Sequence, residues 1–339
     1  MMGTAGAAGL RRPGPLVVPS DADPRVSLIV LGARRDDLLR ACLAALPAAT
    51  AGGPPCETVI VLNGATLEVQ TLVHEDVEGA RVVASAVNLG VAGGANLGRS
   101  VARGDLLVIL HDDAEPRPGW LASLVAVADR NPEAGVVGSR VVYPDGTPQG
   151  AGGVVFADGW PAIPEDDPPP SLFERPADFC QSCALLVRSR LWDSVGGLDE
   201  EFFPAYFVDI DLAMAAWQGG WSVLCALRAH VAHHRRASSS DEYADFLMRR
   251  NQRRLSQKWA AELSQHVNSE DAGDGAVDLA LERVRLLAAQ CHSAGAPAGA
   301  PALPSLGNEG FARGESVSAR AQRRETDVRD EFAAHRARQ

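Results

Sequence analysis

The chain has 339 residues, and 46% of them are hydrophobic, which is enough for one large domain or two modest domains with a real core. Its formal net charge of −11 argues against nucleic acid as the main partner, although the net charge does not exclude a local basic patch. No apolar run reaches the roughly 18–20 residues of a transmembrane helix, and the amino terminus lacks the apolar stretch of a signal peptide. We therefore expect a cytoplasmic protein, with peripheral contact at the inner face of a membrane left open.

The first half of the chain alternates short apolar runs with stretches of helical spacing. Strands are predicted at 26–31, 58–62, 81–84, 106–110 and 136–142, and helices at 36–46, 67–77, 93–103 and 118–129. This alternation predicts an α/β sandwich with a mostly parallel sheet. Ligands of such folds bind beyond the carboxyl ends of the strands, so the residues after Leu31, Leu62 and Leu110 are the first to examine.

The second half begins with a Gly- and Pro-rich segment, residues 143–176, which is predicted to be an irregular loop. Further strands are predicted at 183–187 and 222–227, and helices at 190–195, 209–218 and 243–265. Residues 294–304 are rich in Ala, Pro and Gly and predict a flexible linker before a charged tail.

The six cysteines do not indicate a zinc or redox site. Only Cys180 and Cys183 have C-x-x-C spacing, and neither a second pair nor a thioredoxin-like context accompanies them. Buried or incidental thiols in a reducing compartment are the simpler interpretation.

A cluster of carboxylates follows the fourth strand directly, in the segment HDDAEP from His111 to Pro116. Adjacent like charges repel, so a strand tip is a costly place for them unless a cation or a hydrogen-bond donor is present. A divalent ion held by carboxylates and phosphate oxygens would remove the repulsion and neutralise a diphosphate leaving group. A solvated loop is the alternative, because Asp commonly follows strands.

Glycines recur in the segment NLGVAGGANLG, residues 88–98. They permit tight turns and close backbone approach at the start of a helix, which is a way to hold a phosphate. The spacing matches neither a dinucleotide fingerprint nor a P-loop, and an ordinary Gly-rich turn remains the alternative.

Two polar clusters follow in the second half. Asp209 and Asp211 stand at a predicted helix start, where they complement the helix dipole or provide a general base for an acceptor hydroxyl. Further on, the segment HVAHHRRASSS offers histidines as metal ligands and arginines for phosphate oxygens. A solvated polar loop is the alternative for any one of these later residues.

The order of these blocks resembles that of family 2 glycosyltransferases of the GT-A fold. The resemblance runs from about Val26 to Trp259 and includes VSLIVLGARR, ETVIVLNGA, NLGVAGGANLG, GDLLVILHDDAEPRPGWL, CALLVRSRLWDSVGGLDEEFF, YFVDIDLAMAAWQGGW, HVAHHRRASSS and RRNQRRLSQKW. It is nearest to rhamnosyltransferase-like members. It implies a GT-A-type α/β/α sandwich followed by C-terminal helices. The implied divisions are a disordered segment 1–24, a catalytic domain 25–240, a helical extension 241–292, and a linker and charged tail 293–339.

The resemblance also implies an activity, which is inverting, metal-dependent sugar transfer of the hexosyltransferase type. The donor is a nucleotide sugar, the cation is Mg²⁺ or Mn²⁺, and the acceptor is a glycan, a lipid-linked glycan or a small molecule. Asp209 matches the family's catalytic base, and Asp113 matches the main metal ligand. His233 or His234 matches a late metal-ligating His, and of the two we assign His234 to the metal. The residues implied in donor binding are Leu31, Gly32, Ala33, Asn63, Asn88, Gly90, Gly94, Asn96, His111 and Asp112.

Three departures from the family pattern bear on this interpretation. Leu62 stands where an Asp commonly contacts the nucleotide base, Val208 stands where a Glu precedes the catalytic base, and His111 replaces the first carboxylate of the D-x-D motif. They motivate one alternative, an inactive module that binds a glycan or a partner. A sugar nucleotidyltransferase is the other, because such enzymes share a strand-tip carboxylate.

Overall fold

A ten-stranded β-sheet forms the centre of the protein. This computed structural model describes residues 14–164, 171–234, 240–297 and 316–338. The strands are β1 (Leu16–Val17), β2 (Val26–Gly32), β3 (Cys56–Asn63), β4 (Val77–Glu78), β5 (Arg81–Ser85), β6 (Leu106–His111), β7 (Ala114–Pro116), β8 (Ala134–Val142), β9 (Pro148–Gly150), β10 (Val154–Val155), β11 (Pro161–Ala162), β12 (Glu174–Pro176), β13 (Ala184–Arg188) and β14 (Ser222–His233).

Six helices alternate with the strands along the chain, and five more follow the last strand among the described residues. They are α1 (Asp36–Thr50), α2 (Leu67–Asp76), α3 (Gly90–Arg99), α4 (Trp120–Arg130), α5 (Ser189–Val195), α6 (Val208–Gln218), α7 (Asp241–Lys258), α8 (Ala260–Leu263), α9 (Ser269–Ala272), α10 (Ala276–Ala294) and α11 (Val317–Arg336). Among the described helices, none is both long and apolar enough to cross a membrane.

The strand order of the sheet is β12-β14-β8-β13-β6-β2-β3-β5, with β7 beside β14 and β9 beside β8. Strands β6, β2, β3 and β5 pair in parallel, as do β14 and β8. Strand β13 enters antiparallel between β6 and β8. The segment from β8 to β13 contains no helix among its described residues, and antiparallel strands need no helical crossover.

Apolar layers lie on both faces of the sheet. Along β2, Leu28 and Val30 belong to the core beneath α1, α2 and α4, whereas Ile29 and Leu31 belong to the core beneath α3, α5 and α6. Burial on both faces explains why this strand reads as one continuous apolar run. The predicted α/β/α sandwich is confirmed, and its sheet is mixed: it is parallel from β6 to β5 and between β14 and β8, and the pairings of β13, β12, β7 and β9 are antiparallel.

The amino-terminal segment differs from the prediction. Residues 1–13 lie outside the described residues, but β1 pairs in parallel with β4, and Val18 is buried in the core. The carboxylate of Asp21 accepts a hydrogen bond of 2.7 Å from the backbone N–H of Cys56. Disorder over residues 14–24 was therefore a wrong prediction, because a few apolar residues inside a Gly- and Pro-rich stretch suffice to dock it on the sheet.

Of the carboxyl-terminal helices, α7 and α8 share the core of the main domain, whereas α10 and α11 pack in smaller apolar clusters. The predicted helix 243–265 is divided into α7 and α8, and Trp259 and Leu263 are buried in the same apolar layer as α6. Helix α11 packs on α7 through Phe332 and Val328. Residues 298–304 of the predicted linker lie outside the described residues, and the proposed domain boundaries stay a prediction.

Candidate active site

The carboxyl ends of β2 and β6 meet, as their order in the sheet requires. Leu31 is the register partner of His111, and the backbone N–H of Ala33 donates to Oδ2 of Asp112 over 3.3 Å. Gly32 lies against α1, where an added Cβ would come within 3.1 Å of Leu39. The structure therefore brings the predicted pocket residues of β2 together with the carboxylates that follow β6.

Three potential metal ligands converge beside this strand end. Ligand atoms of His111, Asp113 and His233 all lie within 4.8 Å of one another, close enough to hold one metal ion. Nε2 of His233 is 3.3 Å from Oδ1 of Asp113, and each of these two side chains is 14% exposed. The late histidine reaches the site because β14 continues to residue 233 and pairs there with β7, which places His233 opposite Ala114.

His234 lies outside this group of three, and its assignment to the metal stays a prediction. Its Nε2 is 3.0 Å from Oε1 of Glu115. His233 is the last residue of β14 and its side chain lies beside that of Asp113, whereas His234 follows the strand and donates its backbone N–H to the carbonyl of Asp113 over 3.0 Å. The prediction ended this strand at residue 227 and could not tell which histidine faces the site.

The protonation states of His111 and Asp113 suit a cation. Burial lowers the pKa of His111 to about 4, so its imidazole is neutral at neutral pH, and its buried Nε2 has no hydrogen-bond partner. Burial raises the pKa of Asp113, but the hydrogen bond and charge of His233 outweigh burial and hold that pKa below its usual value. Burial and repulsion from Asp113 raise the pKa of Asp112 to about 7. A neutral nitrogen with an unused lone pair beside an ionised carboxylate is a fitting ligand set for a divalent metal.

Gln149 orients His233 from the outside of this cluster. Its Nε2 donates to the backbone carbonyl of His233 over 3.1 Å, and its Oε1 lies 2.7 Å from Nδ1 of the same residue. Since the amide nitrogen is used as a donor, the amide oxygen accepts from Nδ1–H, which leaves Nε2 directed at Asp113. Burial lowers the pKa of His233, but Cys183 and Asp113 outweigh burial and raise it to about 10, so a proton and a cation compete for Nε2.

Gln149 is a site residue that was not predicted. It lies in the segment predicted to be irregular, 84 residues before its partner in the chain. No local pattern marks such a contact.

Asp209 lies in the first turn of α6, next to the loop that precedes β13. Its Oδ2 accepts a hydrogen bond of 3.0 Å from the backbone N–H of Ser182, and its Oδ1 accepts from Ile210. The next residue of that loop, Cys183, accepts a hydrogen bond of 3.0 Å from the N–H of His111 through its carbonyl. The loop therefore links Asp209 to the metal-ligand cluster. Burial raises the pKa of Asp209 against the opposing effect of its hydrogen bonds.

Asp211 has a different environment from Asp209. Its carboxylate accepts hydrogen bonds from Nζ of Lys258 over 3.0 Å and from Nε1 of Trp259 over 2.8 Å, which join α6 to α7. These contacts use both carboxylate oxygens of Asp211 within the protein. Of the two carboxylates, only that of Asp209 lies beside the loop that precedes β13.

The Gly-rich segment forms a packed turn at residues 88–90 and then the first turns of α3. The buried amide of Asn63 donates to the carbonyl of Gly90 over 3.0 Å and accepts from the N–H of Leu89 over 2.8 Å. Oδ1 of Asn88 accepts from the N–H of Gly90 over 2.8 Å. At Gly94, an added Cβ would lie 2.9 Å from Nδ2 of Asn63. These residues shape the wall of the site, and their polar groups are used within it.

The side-chain amide of Asn96 also forms hydrogen bonds within the protein. Its Nδ2 donates to the carbonyl of Leu198, and its Oδ1 accepts from the N–H of the same residue, both over 2.9 Å. It fixes the loop that leads towards α6, and its predicted direct contact with the donor stays a prediction.

Residues 27–194, about half of the chain, match the family model described as glycosyl transferase family 2. The chain belongs to this family. The O-antigen biosynthesis protein RfbC of Myxococcus xanthus is 31% identical over 239 residues, which are 65% of this chain and 18% of that protein. The N-acetylglucosaminyl-diphospho-decaprenol L-rhamnosyltransferase of Mycobacterium tuberculosis is 27% identical over 57% of this chain and 71% of its own length.

A solved structure supports the fold. GalNAc-T7, determined with UDP, GalNAc and Mn²⁺, superposes with a TM-score of 0.54 and 14% identity over 71% of this chain and 49% of that chain. The family 2 fold of this chain is therefore of the GT-A type. Two of its departures from the family pattern, Leu62 and Val208, are buried in the apolar core, so neither presents a polar group to a ligand.

Proposed function

We propose that this chain is an inverting, metal-dependent glycosyltransferase that moves a hexose from a nucleotide sugar to an acceptor hydroxyl in cell-surface glycan synthesis. The observation that carries the proposal is the cluster of His111, Asp113 and His233, linked to Asp209 through the loop at Ser182. Family membership and the names of the two relatives support the glycan context.

His111, Asp113 and His233 would hold the cation. When bound, a divalent ion there supplies charge neutralisation for the diphosphate leaving group. Two imidazoles and one carboxylate favour Mn²⁺ over Mg²⁺, because Mg²⁺ strongly prefers oxygen ligands. The carboxyl end of β2, with the backbone of Ala33 next to Asp112, forms the wall on the donor side.

Asp209 is the general base of the proposed reaction. Its carboxylate accepts the proton of the acceptor hydroxyl while that oxygen attacks the anomeric carbon from the face opposite the leaving group, so the configuration inverts. The backbone N–H groups of Ser182 and Ile210 fix the orientation of the carboxylate. Its raised pKa makes it a stronger base than an exposed aspartate.

The test is a screen for nucleoside diphosphate release from a panel of nucleotide sugars, in the presence of Mn²⁺, Mg²⁺ or EDTA. We expect metal-dependent release from one donor, loss of release in Asp113→Ala, and loss of turnover with retained donor binding in Asp209→Asn. Asp193→Asn is the matched control, because this exposed carboxylate pairs with Arg99 and lies outside the cluster.

Other outcomes of this screen would favour one of the two alternative functions or remove the role of Asp209. Donor binding without release by the wild-type protein, with acceptors of all three classes present, would favour an inactive binding module. Release of pyrophosphate would favour a nucleotidyltransferase. Near-wild-type transfer by Asp209→Asn would remove Asp209 as the base.

A further inference from the structure

The chain enters α6 through an unusual backbone conformation. Tyr206 and Phe207 both have positive φ, 71° and 69°, although neither is glycine. Side chains other than glycine disfavour this region, and such residues persist where their surroundings hold them. Helix α6 begins at Val208, so the conformation of these two residues sets the position of Asp209 one residue later.

Asn251 of α7 holds this turn from one side. The side chain is fully buried, and its Nδ2 donates to the carbonyls of Phe202, Ala205 and Tyr206 over 3.2, 2.9 and 3.1 Å. Its Oδ1 accepts from Nη1 of Arg250 over 2.9 Å. Both ends of the Asn251 amide therefore form hydrogen bonds: the nitrogen bonds to the turn that precedes α6, and the oxygen bonds to Arg250.

Arg250 reinforces the same turn and connects it to α11. Its Nη1 also donates to the carbonyl of Phe203 over 3.2 Å, and its Nε donates to Oε2 of Glu331 in α11 over 2.6 Å. Arg324 of α11 pairs with Glu200 over 2.6 Å, at the start of the same segment. Helices α7 and α11 therefore both bind residues of the segment that leads into α6.

The other side of the turn rests on the amino end of α3. The carbonyl of Pro204 accepts from the N–H of Val91 over 2.8 Å, and a Cβ on Gly90 would lie 2.8 Å from that same oxygen. Asn63 in turn holds Gly90. The turn is therefore enclosed between α7 and the wall formed by the Gly-rich segment.

We propose that Arg250 and Asn251 are positioning residues, which fix residues 202–207 and thereby set the distance between Asp209 and the metal-ligand cluster. This inference rests on the proposed role of Asp209 as the base. The motif RRNQRRLSQKW in α7 then acts on the reaction through the backbone of the turn and not through contact with the substrates.

The experiment compares Asn251→Ala with Glu57→Gln. Glu57 is a buried carboxylate at the amino ends of β2 and β3, where it accepts from Ser27 over 2.7 Å and from the N–H of Arg103 over 2.8 Å. This control removes a buried negative charge, paired with Arg103, at the opposite end of the sheet. Glu331→Gln is a milder second variant, because its carboxylate is 45% exposed and reaches the turn only through Arg250.

We expect Asn251→Ala to lower kcat about 100-fold, since a misplacement of about 1 Å costs this much, while the dissociation constants for Mn²⁺ and donor stay unchanged. Glu331→Gln is expected to lower kcat in the same way but less. Glu57→Gln is expected to lower the unfolding midpoint and keep kcat. Hydrogen exchange, which needs no activity, is expected to increase in Asn251→Ala within residues 203–210 and not at residues 111–113.

A kcat of Asn251→Ala equal to that of Glu57→Gln at matched stability would overturn the inference, as would equal losses in Mn²⁺ and donor binding. If the wild-type protein transfers no sugar but exchange still increases at 203–210 alone, the proposed function fails and the positioning of the turn stands. If Asn251→Ala does not fold, Glu331→Gln decides, and an unchanged kcat together with unchanged exchange would refute the role of the pair.

Discussion

Two adjacent histidines at the end of β14 give the sharpest test of the candidate site, because they have the same chemistry and different surroundings. Nε2 of His233 lies 3.3 Å from Asp113, whereas Nε2 of His234 lies 3.0 Å from Glu115. The perturbation is His233→Ala, and His234→Ala is its matched control. We expect only the first to weaken metal binding.

The magnitude follows from the number of ligands. His233 provides one of three protein ligands, and its orientation depends on Gln149. Loss of an outer contact such as that of Gln149 typically costs 10–100-fold in metal affinity, so loss of the ligand itself should cost about 100-fold or more. At 1.4 kcal/mol per tenfold change, this is about 2.8 kcal/mol of binding free energy. His234→Ala should leave the affinity unchanged, because its side chain contacts Glu115 outside the cluster.

The assay is a titration of the full chain with Mn²⁺, in which free Mn²⁺ is followed by electron paramagnetic resonance. All variants are compared at one pH, because a proton competes for Nε2 of His233. Circular dichroism checks that both variants fold. The reasoning is refuted if the two variants lose equal affinity, or if His234→Ala loses more.

Four further predictions concern the site and the stability of the fold. Gln149→Ala should weaken Mn²⁺ about 10-fold in the same titration, because His233 loses its orienting partner. His111→Asp should shift the preference from Mn²⁺ towards Mg²⁺ in a competition titration, because an oxygen ligand replaces an imidazole. The acid side of the pH–kcat profile should fall at a pH above that of an ordinary carboxyl group, because Asp209 must be deprotonated and burial raises its pKa. Arg283→Ala should lower the free energy of unfolding by about 3 kcal/mol in urea, because it leaves the buried Asp178 without its charged partner, with only the N–H of Val155 still bonded to its carboxylate.

Each of these four predictions has an outcome that contradicts it. Unchanged Mn²⁺ affinity in Gln149→Ala would mean that His233 needs no outer support, and an unchanged metal preference in His111→Asp would place His111 outside the ligand set. An acid limb that persists in Asp209→Glu at an unchanged pH would belong to another group. An unfolding midpoint of Arg283→Ala equal to that of the wild type would mean that water replaces the guanidinium at Asp178.

The strands and the sandwich were predictable because their apolar runs are continuous and local. The position of Asp113 also followed from sequence, since it comes directly after such a run. The choice between His233 and His234 did not follow, because it depends on how far β14 extends past its apolar start. The internal roles of Asn63 and Asn96 were equally hidden, since an asparagine in a Gly-rich stretch looks the same whether it faces a ligand or a backbone carbonyl. Gln149 meets its partner only after the whole sheet has assembled.

The irregular register of β14 has a consequence for how this site tolerates changes in chain length. Ala226 pairs with Ser139 and His230 pairs with Arg140, so residues 227–229 form a bulge between two consecutive partners on β8. These three residues are extra to the ladder with β8, so loss of one of them would shorten the bulge and leave the pairing of residues 230–232 unchanged. His233 would then keep its place opposite Ala114. The bulge therefore separates the length of the chain before it from the position of the histidine after it.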